Sequence, residues 1–322
     1  MDETSDLVDT YQFARREGLT PTEAFGRIKD DLSAIYEEQG WTFLRTATAT
    51  LIDACAETTA EAEVLIDGFF DITTGGGDII GEEDADWIED LVRRFPDSMQ
   101  FVDILAGFYA DLCGQGHTDT CLPRLNQCVS DHPDMSSVAL YYAYALVDLV
   151  WDVDKGTVSP QGYANAIQQV KGLYEAHPYE EFAERYAKGL KNLVAMQDRE
   201  EDAVQLIDVI DNLLAQWPNK YIASDYLSAL TRLTWLQDER GCAATIAKME
   251  SLWDGYPYSL QTLAMNMAYA CANYSLCVSD DDKNAVLQRI SELSTWWQPA
   301  ARMASELRSG TYLYAHKPMK AA

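Results

Sequence analysis

The residues best equipped for chemistry crowd into one stretch: Cys113, His117, Cys121, Cys128 and His132. Thiolate and imidazole at such separations can hold zinc tetrahedrally, although no Cys-x-x-Cys knuckle is present. Asp152-Val-Asp154-Lys-Gly156-Thr-Val-Ser faintly resembles a calcium loop. It lacks glycine at the sixth position, and Tyr163 stands where the twelfth-position glutamate belongs. Gly75-Gly76-Gly77 is not followed by the Lys-Ser/Thr of a phosphate loop, and Asp71, Asp78 and Glu82 around it repel phosphate. Ser279-Asp-Asp-Asp282 reads as a helix N-cap with acids favouring the helix dipole. Four histidines, one of them His316 near the end, form no Ser/His/Asp or Cys/His pattern, so neither catalysis nor a cofactor is expected.

The elements that must position these residues are set by a repeat. Prolines recur at Pro96, Pro133, Pro178, Pro218, Pro257 and Pro299, spaced by 37, 45, 40, 39 and 42 residues. Five follow Phe95, His132, His177, Trp217 or Tyr256. An apolar pair precedes each of these five: Leu91/Val92, Cys128/Val129, Leu173/Tyr174, Leu213/Leu214 and Leu252/Trp253. A period near 40 residues with a fixed proline marks a stacked array of helical hairpins. The proline ends one helix and suits the first turn of the next. After it come aligned segments beginning at Tyr142, Tyr186, Tyr226 and, less well, Met265. Large residues at i, i+4 and i+7 and a small one at i+3 give each a close-packing face. In this alignment Cys128 shares a column with leucines and His132 one with aromatics. Both columns are packing positions, so the expected state is no metal, with zinc the alternative.

Tyr186, Gly189, Leu190 and Leu193, closed by Pro218, resemble the tetratricopeptide repeat. The likeness covers about residues 83 to 299. It departs from the family in swapping the small and large residues at positions 7 and 8, and in units longer than about 34 residues. The implied fold is all-α, a right-handed α-α superhelix of about five helical hairpins. Residues 1–80 form a helical cap or degenerate repeat, 81–299 the array, and 300–322 a C-terminal capping helix and tail. In the family the first helix of each pair lines a concave groove. Carried over, its ligand-facing positions include Trp151, Lys191, Thr231, Trp235, Asn266, Asn273 and Tyr274. Aromatics, amides and a lysine suit an extended peptide or a partner helix.

Charge limits the partners. Across 322 residues, 24 Lys+Arg stand against 52 Asp+Glu, a net −28. Such a chain is a poor ligand for nucleic acid or an anionic membrane. With 48% hydrophobic residues it can build a substantial core. The start, Met1-Asp-Glu-Thr-Ser-Asp, has neither a basic nor an apolar leader, and the uncharged stretch Gly255 to Ser279 reads as a buried helix. Seven cysteines without a framework suit reduced thiols in the cytoplasm. The expected role is a non-catalytic scaffold for a protein or peptide. The alternatives are a peptide-responsive regulatory sensor, or an acidic nucleic-acid mimic that occupies a partner's basic site.

Overall fold

The computed structural model describes residues 3–73, 81–253 and 259–312. Among them there are helices and turns but no strand. The Gly75-Gly76-Gly77 turn, Tyr256-Pro257 and the tail with His316 lie outside the described residues. The chain forms two compact units, Met1–Tyr141 and Tyr142–Ala322. Their boundary falls within the stretch read as one array, not near residue 80.

The first unit contains α1 (Glu3–Arg16), α2 (Pro21–Gly26), α3 (Lys29–Gln39), α4 (Trp41–Cys55), α5 (Thr59–Thr73), α6 (Glu82–Arg94), α7 (Met99–Gly114) and α8 (Thr118–Asp131). Local chemistry sets their ends. Thr20 and Glu23 close a capping box over Pro21, and Gly40, at φ 77°, separates α3 from α4. Helix α4 packs on α1, α3 and α5, while α7 packs on α6 and α8. Asp84, 4% exposed, ties the two groups together. It accepts hydrogen bonds from the Gly81 amide at 2.7 Å, Trp41 Nε1 at 3.0 Å and Arg45 Nη1 at 2.7 Å. Phe69 packs edge-on against Trp87 beside this junction.

Helix α9 (Ser136–Asp148) carries the unit boundary. The second unit continues with α10 (Val150–Asp154), α11 (Pro160–Ala176), α12 (Glu180–Ala195), α13 (Glu200–Gln216), α14 (Lys220–Leu233), α15 (Glu239–Ser251), α16 (Leu260–Tyr274), α17 (Asp280–Glu292), a 3-10 turn (Leu293–Thr295) and α18 (Pro299–Ser309). Here α12 packs on α11, α13 and α14, and α14 continues to α16, which meets α15, α17 and α18. The even-numbered helices are thus neighbours to one another as well as to the helix on either side. Ion pairs link the others: Lys248 of α15 reaches Asp211 of α13 at 3.2 Å, and Arg289 of α17 reaches Glu250 of α15 at 3.0 Å.

One backbone geometry recurs before the prolines. Phe95, His132, His177 and Trp217 all end their helices with φ between −129° and −125° and ψ between 61° and 80°. The following proline ring excludes the helical region from its predecessor, so the chain turns out of the helix at the same residue each time. The side chain then packs forward: Phe95 lies edge-on to Phe101, and His177 stacks on Phe182 at 5.3 Å.

Burial recurs with the same order. Phe101, Val138, Phe182, Ile222 and Leu263 are buried, as are Leu105, Tyr142, Tyr186, Tyr226 and Met267 four residues later. Four further on lie Tyr109, Leu146, Leu190, Leu230 and Cys271, all buried. This places Met267, not Met265, opposite Tyr226 and shifts the α16 register by two residues, because α16 turns its Leu263–Met267–Cys271 stripe to the core. The need for a small residue is explicit at Gly189: a Cβ there would come within 2.6 Å of Ile167 Cδ1.

Candidate functional site

The cysteine–histidine stretch is distributed over packing surfaces and helix ends. Cys113 and Cys121 are buried, and burial pushes the half-buried Cys128 thiol up to about 11. His117 precedes α8, with Nδ1 3.0 Å from Glu82 Oε1, and His132 caps the other end of α8. No three His, Cys, Asp or Glu among the described residues group to hold a metal ion. All seven cysteines are thiols rather than disulfides. No helix among the described residues is long and apolar enough to cross a membrane.

A cavity of about 530 Å³ lies within the second unit, against α12, α14 and α16. Its walls include five residues singled out from the sequence: Lys191, Thr231, Trp235, Asn266 and Asn273. The helical period explains their convergence. Ser228, Thr231, Arg232 and Trp235 fall at i, i+3, i+4 and i+7 along α14 and its end, while Met265, Asn266, Tyr269, Ala272 and Asn273 make the facing stripe of α16. Tyr312, just beyond α18, completes the rim.

The five residues do different work. Thr231, Asn266 and Asn273 are 8%, 4% and 5% exposed. Thr231 Oγ1 bonds to the Leu227 carbonyl at 2.9 Å and to the Asn266 carbonyl and amide oxygens at 3.2 and 3.1 Å. Asn273 Nδ2 donates to Thr234 Oγ1 at 2.9 Å, and Asn266 Nδ2 to the Thr262 carbonyl. The Thr231–Asn266 and Asn273–Thr234 bonds latch α14 to α16 along the cavity wall. Unmade buried polar groups would be costly, so this wall is a structural seam as well as a lining.

Charge is carried by Lys191 and Arg232. Lys191 Nζ lies 3.6 Å from Asp225 Oδ1. Burial raises the Asp225 carboxyl above its usual value, against the opposing pull of Lys191, Lys188 and Arg185. The Arg232 guanidinium sits 4.2 Å from the Trp235 ring centre. It touches solvent, yet the surrounding protein displaces enough water to lower its pKa. Among the described residues no carboxylate lies within ion-pair distance of it.

Two singled-out residues lie elsewhere. Trp151 stands 62% exposed on the short α10. Tyr274, at the end of α16, borders a shallow depression with Asp238, Glu239, Arg240 and Ala243. Sequence reasoning passed over Ser228, Arg232, Met265, Tyr269, Ala272 and Tyr312. The i, i+3, i+4, i+7 spacing through Thr231 and Trp235 contains Ser228 and Arg232, and was the available signal. Nothing local marks Tyr312, which reaches the rim from beyond the last helix.

Comparison with protein-family models and with curated proteins finds no match to this chain.

Proposed function

We propose that the chain is a non-catalytic scaffold: a right-handed superhelix of tetratricopeptide-like helical hairpins that binds a protein or peptide on its inner face. One observation carries this reading. Five residues chosen for a groove line one cavity of about 530 Å³, a size that accepts a few side chains of an extended segment. Trp235 and Tyr269 supply flat apolar surface for such a segment, with Ser228 and Lys191 beside them. The shared pre-proline geometry and the recurring buried columns support the helical-repeat architecture.

The test is selection of a random-peptide library on the full chain, repeated with Trp235→Ala. Peptides retained by the wild type and lost by a folded Trp235→Ala variant support the groove. Peptides that bind both proteins equally place recognition elsewhere and overturn it.

A further inference from the structure

We propose that this cavity seats the carboxylate of an aspartate or glutamate side chain in an acidic peptide segment, gripped by Arg232 with Lys191 beside it. The inference deepens the groove reading and rests on it. Its first ground is compositional. The chain holds 52 carboxylates and 24 Lys+Arg, yet the described residues lining the cavity include two cations and no carboxylate. A random patch of this surface would show the opposite sign. The walls thus present net positive charge, which favours a ligand carrying negative charge.

The second ground is the environment of Arg232. Lys188 pairs with Asp148, Lys191 of this cavity with Asp225, Lys248 with Asp211 and Arg289 with Glu250, whereas Lys220 lies over the Tyr221 ring. Arg232 instead rests on Trp235, with no carboxylate among the described residues in ion-pair range. A guanidinium over an indole face gains a cation–π contact and retains in-plane N–H donors, which match a carboxylate in bidentate fashion. Partial desolvation strengthens any such bond relative to one in open water.

The third ground is charge balance. Asp225 already offsets Lys191, which leaves the cavity with about one unbalanced positive charge. That matches a single carboxylate. A phosphate group brings roughly two negative charges at neutral pH and would remain half compensated. Trp235, Met265 and Tyr269 then face the aliphatic stem and neighbouring backbone of the acidic residue.

The experiment uses peptides from the Trp235-dependent selection together with hexaglutamate as a defined probe. Asp or Glu should be enriched at one position of the selected peptides. Hexaglutamate should bind the full chain, and hexaglutamine should bind at least about tenfold more weakly. Arg232→Met should weaken hexaglutamate by about tenfold or more, with Arg232→Lys falling between. Circular dichroism checks that both variants fold, as an exposed position allows. Trp235-dependent peptides without acidic enrichment, or equal binding of hexaglutamate by Arg232→Met, overturn the carboxylate site and leave the groove standing. Tighter binding when phosphoserine replaces the selected acid assigns the cavity to phosphate and also overturns the proposal. If no peptide depends on Trp235, the groove itself falls.

Discussion

At the scale of single residues, the chain separates polar groups that hold helices together from those that face outward. Thr231 and Asn266 exchange their polar atoms with each other and with the backbone, whereas Arg232, one position along, projects toward solvent over Trp235. One step along an α-helix turns the side chain by about 100°, so neighbours in sequence serve opposite purposes. The same logic identifies a residue whose polar atom serves nothing visible. Tyr11 is fully buried, and its hydroxyl has no partner among the described residues. Tyr11→Phe should therefore stabilise the protein at neutral pH by about 1 kcal/mol, measured by urea unfolding. Burial first, and the Glu61 charge second, raise the Tyr11 hydroxyl from 10.0 to about 12. The folded state thus holds this proton more tightly than the unfolded one. The stability linked to it is intact below pH 10 and lost as pH rises through about 12. The advantage of the phenylalanine variant should grow across that interval; a constant or shrinking gap would contradict the assignment.

At the scale of elements, four helices end at a pre-proline residue, and each is followed by a helix with a buried i, i+4, i+8 stripe. Proline sterics, side-chain caps and the 3.6-residue period are local, which is why the helix pairs from α11 to α14 were legible in the sequence. Asn219, for instance, sits directly after Pro218 and accepts from the amides of Tyr221 and Ile222, starting α14 where the proline allows it. The α16 register was less legible. Methionines at 265 and 267 offer the same local chemistry, and only packing against the neighbouring helices decides which is buried. The joint between α4 and α6 was not visible at all, because residues 74–80 read as a break. Asp84 there satisfies three donors at once. Asp84→Ala leaves the Trp41 donor and the Gly81 amide unpartnered and Arg45, 16% exposed, with only the exposed Glu83 at 3.1 Å. It should cost about 2–3 kcal/mol in chemical denaturation. A loss below about 1 kcal/mol would show that the junction relaxes or admits water.

At the scale of the molecule, the net −28 acts on every helix through self-repulsion. Ion pairs such as Lys248–Asp211 and Arg289–Glu250 offset it between neighbouring helices, but 24 cations cannot neutralise 52 acids. Raising ionic strength from about 10 mM to about 0.5 M shortens the screening length severalfold and should raise Tm, because relief of repulsion outweighs the weakening of exposed pairs. A Tm that falls with sodium chloride would mean the surface pairs dominate instead. The sequence by itself determined the helical class, the helix ends set by proline and the buried columns of α9, α12 and α14, since each follows from contacts within a few residues along the chain. Five of the seven residues named for a groove border one cavity, but they sit on three helices that only packing brings together. Tertiary structure decided what those residues do. The approach of α16 to α14 turns Thr231, Asn266 and Asn273 into an interhelical seam beside the local Arg232–Trp235 pair, with no acid among the described residues in reach of Arg232. Contacts between segments some 40 residues apart depend on how helices cross, which no local pattern encodes.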